Sequence, residues 1–209
     1  MPLTPPYDPD MISDMKTYII YIHGFASVGE SPKTAALREE FPNAVVYAPT
    51  LPFAPNDTIV GLRAKIKELI NTGAANKIIL MGTSLGGFYA RILSGMMDIP
   101  AILINPLVFV KNSGIRAGRY TNYTTGVDFE VSGEQVNQLV QMDKDAEMLD
   151  MVNAYYFANR DDDIIPYQKP DGTFKHAAGY NIYDTGGHRF TDIRRTFPTL
   201  HTLMGDNAA

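Results

Sequence analysis

The chain has 209 residues, 45% hydrophobic and 20% charged, the length and balance of one globular domain with a sizeable core. A formal charge of −5, with no Lys/Arg cluster, argues against nucleic-acid binding. The absence of cysteine excludes disulfides, thiolate metal sites and a cysteine nucleophile.

Residues 1–15 carry proline and acid where a signal peptide needs a basic start and an apolar stretch. They read as a flexible N-terminal arm, with Met11 or Met15 as alternative starts, and residues 16–209 as a single domain. No apolar run approaches the roughly 18 residues of a membrane span. A cytoplasmic protein is the expectation.

Thr17–Ile22, TYIIYI, is β-branched and aromatic throughout, as in a strand buried on both faces. It ends at His23-Gly24-Phe25. Ser31-Pro32 predicts a helix start, serine capping and proline in the first turn, and Pro42 stops that helix after Phe41. A short strand at 44–48 and a proline-rich loop follow. A second helix, capped by Asp57 or Thr58, places Ile59, Leu62, Ile66, Leu69 and Ile70 at helical spacing and ends at Gly73.

Strand 77–81 then runs into Gly82-Thr83-Ser84-Leu85-Gly86 and a helix over 85–95. This is a G-x-S-x-G pattern at a strand-to-helix turn. The serine takes a strained backbone conformation there, and Gly82 and Gly86 sit where a Cβ would clash. A fourth strand, Ala101–Ile104, closes at Asn105-Pro106. Residues 107–151 break the alternation as a lid-like excursion over the strand ends, with helices expected near 134–142 and 145–151. Strands at 152–158 and 180–183 follow, and a closing helix over about 191–204 is expected to be interrupted or kinked at Pro198. The alternation predicts an α/β fold with a mainly parallel sheet flanked by helices.

A serine hydroxyl needs a base within hydrogen-bond reach to act as a nucleophile near neutral pH. Of four histidines, His188 follows the last strand through two glycines and suits that role. His23 reads as a support residue whose neighbour Gly24 lets the chain turn. His176 lies in a polar loop and His201 in the closing helix. Asp161, Asp162 and Asp163 end the strand at 152–158. Asp162 is preferred as the acid that orients His188, because Asp162-Asp163-Ile164-Ile165-Pro166 matches a D-x-x-[IV]-P pattern, with Asp161 as the fallback. Ser, then Asp, then His is also the chain order of α/β-hydrolases. Oxyanion stabilisation needs backbone N–H donors. One is expected at Leu85 and the other at Phe25 or Ala26, Phe25 being carried forward. No HExxH, P-loop or G-x-G-x-x-G pattern is present, so neither a metal nor an organic cofactor is expected.

Five stretches, YIHGFASVGESPKTAAL, APTLPFAPND, LMGTSLGGFYA, INPLV and GGHRF, together resemble the YqiA-like esterases, small single-domain α/β-hydrolases, in order across most of residues 18–192. The resemblance implies a serine hydrolase of carboxylic esters with Ser84 as nucleophile, His188 as base and Asp162 as acid. It places the family's His-Gly-Phe turn on His23, Gly24 and Phe25 and implies no cofactor. The expected partner is a small acyl ester. Aromatic and Met residues of 107–156, with Phe25 and Tyr89, are candidates to line an apolar pocket. A thioesterase, amidase or acyltransferase would use the same site, and a binding protein with a vestigial triad is the non-enzymatic alternative.

Overall fold

The computed structural model describes residues 16–149, 151–167, 172 and 174–205. The proposed arm at 1–15 lies outside them, as do residues 168–171 and 173 of the loop after the acidic run.

Strands β1 (Lys16–Ile22), β2 (Val45–Tyr47), β3 (Ala75–Thr83), β4 (Ala101–Ile104), β7 (Ala154–Asn159) and β8 (Gly179–Tyr183) form one sheet in the order β2-β1-β3-β4-β7-β8. Every neighbouring pair is parallel. Successive side chains of a strand point to opposite faces. Ile19, Tyr21, Ile79 and Met81 accordingly pack on one side with Ala36 and Leu37 of α1 (Pro32–Glu40) and Leu200 of α5 (Phe197–Met204). Ile20, Ile22 and Leu80 pack on the other with Leu62, Ile66 and Leu69 of α2 (Pro55–Asn71) and Phe88 of α3 (Leu85–Met97). Each such fully buried apolar side chain contributes about 1.5–3 kcal/mol.

The caps explain where the helices lie. Ser31 accepts the Thr34 N–H while the Thr34 hydroxyl accepts the Ser31 N–H, a reciprocal capping box that starts α1 with Pro32 in its first turn. The start of α2 departs from expectation. It begins at Pro55 after Ala54, with no side-chain cap, because the fixed φ of proline already suits the first turn. Ile70 of that helix faces solvent at the edge of the apolar stripe. The closing segment is interrupted just ahead of Pro198. A 3-10 turn at Ile193–Thr196 leads into α5, and the proline stands in its first turn.

Between β4 and β7 the chain leaves the sheet. A two-stranded antiparallel hairpin, β5 (Gly118–Thr121) with β6 (Asp128–Val131), is followed by the single helix α4 (Gly133–Ala146), capped by Ser132 and Gln135. The two helices expected near 134–142 and 145–151 are therefore one, followed by a turn at 147–148. Arg91 of α3 ties this excursion down. Its buried guanidinium meets Asp143 of α4 at 3.0 Å, and the other oxygen of Asp143 accepts the Val110 N–H at 2.9 Å. Among the described residues no helix is long and apolar enough to cross a membrane.

Candidate active site

β3 ends at Thr83, and Ser84 takes φ +57°, ψ −120° before α3 begins at Leu85. A residue with a Cβ rarely adopts that conformation, and here its surroundings enforce it. The Ser84 N–H donates to the Ile104 carbonyl at 2.9 Å, and its own carbonyl accepts the N–H groups of Phe88 and Leu107 at 3.1 and 3.0 Å. The elbow is also jammed against β1. A Cβ on Gly82 would lie 2.2 Å from the Gly86 carbonyl oxygen, and one on Gly86 only 1.9 Å from that of Ile22. Below it, the Tyr21 and Thr83 hydroxyls are 3.1 Å apart, and burial pushes the Tyr21 phenol up to about 12.

The Ser84 Oγ lies 3.0 Å from Nε2 of His188, whose Nδ1 lies 3.0 and 2.9 Å from the two carboxylate oxygens of Asp162. A carboxylate can only accept, so Nδ1 carries the proton and Nε2 presents a lone pair to the serine hydroxyl. The Asp162 side chain is 1% exposed. Its Oδ1 accepts the N–H groups of Ile164 and Ile165 at 2.9 and 2.7 Å, which compensate its burial as a charge and fix its rotamer.

Sequence reasoning missed what holds His188. Asn105, at the C-terminal end of β4 with φ +39°, donates from Nδ2 to the carbonyls of Gly187 and His188, both at 3.0 Å. Its Oδ1 accepts the Asn159 N–H, and Asn159 in turn donates to the Gly187 carbonyl at 2.8 Å. Asp161 accepts the N–H groups of Gly187 at 2.8 Å and Gly186 at 3.1 Å. Those bonds, the Gly187 one foremost, hold its carboxyl below the usual range. Neighbouring aspartates thus divide the work: Asp162 meets the imidazole and Asp161 the loop that carries it. The available signal was an asparagine at the end of each of two adjacent strands, β4 and β7, with no apolar role to fill.

His23 is not placed as the base, because both of its ring nitrogens are engaged by backbone groups. Its Nδ1–H donates to the Gly24 carbonyl at 2.8 Å, and its Nε2 accepts the Leu51 N–H at 2.9 Å, clamping the turn after β1 to the proline-rich loop. Burial pushes its pKa down, partly opposed by the Gly24 bond. In the unfolded chain the ring protonates near pH 6.5, whereas in the fold it resists protonation until a lower pH. Its contribution to stability is complete above that value and is lost as pH falls from there towards the depressed folded pKa. Urea midpoints at pH 7.5 and 5.5 should therefore show a loss in the wild type that His23→Gln lacks; equal losses would contradict this role. His201 faces Glu40 at 3.0 Å, and His176 lies in a turn after β7.

Leu85 is the first residue of α3, where backbone N–H groups have no intrahelical acceptor. Phe25 follows Gly24, whose Cβ would stand 3.4 Å from that of Ser84. Both line a cavity of about 420 Å³ with Leu51, Phe53, Tyr89 and Phe129 among its apolar walls. That size is ordinary for a small-molecule site. The ring of Phe25 meets those of Phe53, Tyr120 and Phe129 with centroids 5.2, 4.9 and 5.7 Å away. Ser84, Asp162 and His188 are not among the residues lining the cavity of about 420 Å³, which reaches the site through Phe25 and Leu85. A second cavity of about 500 Å³ borders Arg91, Asp143, Lys175 and His176 and is lined by neither of these two. Among the described residues no three His, Asp or Glu side chains cluster as metal ligands would.

The sequence profile of the family described as "Uncharacterised protein family (UPF0227)" matches residues 18–205. The chain belongs to the UPF0227 family. This is the YqiA family that its five motifs resemble. A UPF0227 protein of Pectobacterium carotovorum is 26% identical over 152 residues, 66% of this chain and 83% of the relative. Among solved structures, the UPF0227 chain superposes on Est1E from Butyrivibrio proteoclasticus with a TM-score of 0.70 at 15% identity, over 92% of this chain and 88% of that one. It matches a Paleococcus ferrophilus monoacylglycerol lipase at 0.65 and 14%, over 92% and 97%. Against the mouse α/β hydrolase domain-containing protein 10 the values are 0.67 and 16%, over 91% and 90%. Likeness at such identities establishes the α/β-hydrolase fold for this family member.

Proposed function

We propose that this protein is a serine hydrolase of small carboxylic esters. The observation that carries the reading is one line of three groups: Ser84 Oγ 3.0 Å from His188 Nε2, with Asp162 2.9 Å from Nδ1 on the far side. Ser84 attacks the ester carbonyl as its proton passes to Nε2, and Asp162 stabilises the imidazolium. The developing oxyanion is received by the backbone amides of Phe25 and Leu85. The tetrahedral adduct collapses, the C–O bond to the alcohol breaks, and His188 returns its proton to the leaving oxygen. Water, deprotonated by the same imidazole, then attacks the acyl-enzyme, releasing the acid and restoring Ser84.

The cavity beside Phe25 and Leu85 supports an apolar substrate portion. Among the described residues its lining carries no lysine or arginine, and Glu130 is the one acidic residue. Est1E has also been solved with ferulic acid bound, and the lipase is named for monoacylglycerols; those names favour ester chemistry for this fold neighbour as well. The test is a chain-length series of p-nitrophenyl esters with matched thioesters and anilides. Ester turnover that peaks at acyl chains the cavity can hold is the expected result. A thioester or anilide preference would redirect the assignment to those acyl groups, and no turnover of any of them would overturn it.

A further inference from the structure

Ala26, in the turn that supplies the Phe25 amide, stands at φ +52°, a left-handed conformation that is unfavourable for a residue with a Cβ. What holds it there comes from nearly a hundred residues downstream. The Ala26 carbonyl accepts the Tyr123 N–H at 2.8 Å, and the Ser27 carbonyl accepts Nδ2 of Asn122 at 2.9 Å. Both donors sit in the turn of the β5–β6 hairpin. That turn is braced in itself: Asn122 Oδ1 accepts the N–H groups of Thr124 and Thr125 at 2.9 and 3.0 Å, and its backbone N–H donates to Val127 at 2.9 Å. Arg119 and the Thr121 hydroxyl both donate to Asp128 at 2.7 Å across the strands. Packing of Phe25 against Tyr120 and Phe129 joins the same two segments through their side chains. At the other rim of the cavity, Gln135 of α4 donates to the Phe53 carbonyl at 2.5 Å.

We infer that the hairpin is a fixed buttress of the oxyanion turn and that Asn122 is its positioning residue. By engaging the carbonyls of Ala26 and Ser27 from outside, Asn122 and the Tyr123 amide set the path of residues 25–27, and with it the direction of the Phe25 N–H. The inference rests on the hydrolase reading above for its kinetic consequence, but not for its structural one. An excursion held to the turn in this way acts by rigidity, the condition under which a backbone donor stabilises developing charge without reorganising.

The test is Asn122→Asp. Both carboxylate oxygens accept, so the turn bonds to Thr124 and Thr125 survive, while the single donor to Ser27 is lost and an anion faces its carbonyl. Ester kcat should fall about 10- to 100-fold with KM within about threefold, because an oxyanion donor is misdirected and substrate contacts are kept. Affinity for a trifluoromethyl ketone, which forms an oxyanion on Ser84, should fall by the same factor. Amide exchange in residues 24–28 should quicken while that of the hairpin is unchanged. If the charge unfolds the hairpin, Asn122→Ser takes its place, with a hydroxyl that supports a weaker turn but is too short to reach Ser27.

Unchanged kcat in an active enzyme, or a KM effect alone, overturns the positioning role. Unchanged exchange in 24–28 overturns the buttress itself. If the wild type neither turns over esters nor reacts with a fluorophosphonate, it is the hydrolase reading that fails. Exchange then still decides whether Asn122 holds the turn.

Discussion

Ser84→Ala should lower kcat for an activated ester about 10⁴-fold or more, and Asp162→Asn by about 10⁴-fold, both in folded protein. The serine variant removes the proposed nucleophile and leaves the backbone amides in place, so residual turnover would reflect binding and electrostatics alone. The aspartate variant acts through the tautomer. Asp162 Oδ1 already takes the Ile164 and Ile165 amides, so an asparagine keeps its oxygen there and turns its NH₂ towards His188. Nδ1 must then accept, the ring proton moves to Nε2, and the lone pair facing Ser84 is lost. Asp161→Asn should cost no more than about 10²-fold, since it loosens the loop and leaves the imidazole's partner in place. Steady-state kinetics of the three variants, with circular dichroism as a folding control, check this. An Asp161 variant as damaged as the Asp162 one would contradict the assignment of roles.

Gly86→Ala should destabilise the fold by about 3 kcal/mol or more, the upper end of overpacking effects. The added Cβ meets backbone and no pliable side chain: the Ile22 oxygen at 1.9 Å and the His23 oxygen at 2.6 Å. Relief requires α3 to lift off the end of β1, which pulls Ser84 away from the turn at Phe25. Gly61→Ala in α2 is the matched control. Nothing lies within 4 Å of its Cβ, and helix propensity predicts a gain of about 0.5–1 kcal/mol. Urea unfolding of both variants gives the comparison, and a Gly86 variant within 0.5 kcal/mol of wild type, on the order of a surface substitution, would contradict the close packing of the elbow.

The core of this fold was legible because burial leaves a periodic trace. TYIIYI and IILM are the short continuous apolar runs that suit buried strands, and Ser31-Pro32 marked a helix start by cap chemistry. The hairpin left no such trace. GRYT and DFEV are four residues each and largely exposed, and the polar–apolar alternation of Asp128-Phe129-Glu130-Val131 is too short to set it apart from a loop. The site divides along the same line. Ser84, Asp162 and His188 sit in motifs whose spacing follows from strand-end geometry. Asn105, Asn159 and Asn122 act through hydrogen bonds to backbone 28 to 95 residues away in sequence, and a side-chain amide gives no local hint of so distant a carbonyl. Pro55 and Pro198 show a further limit. Proline rules out the helix interior but fits the first turn, and a linear reading must choose between a break and a start.

The central claim is that Ser84 is a nucleophile activated by His188. The most direct measurement is the reaction of the folded protein with a fluorophosphonate, with the adduct located by peptide mass mapping. The account predicts one adduct per chain, on Ser84, formed in the wild type and absent from Ser84→Ala and from heat-unfolded protein. An unlabelled Ser84 in folded wild-type protein, or an adduct on another residue, would contradict it.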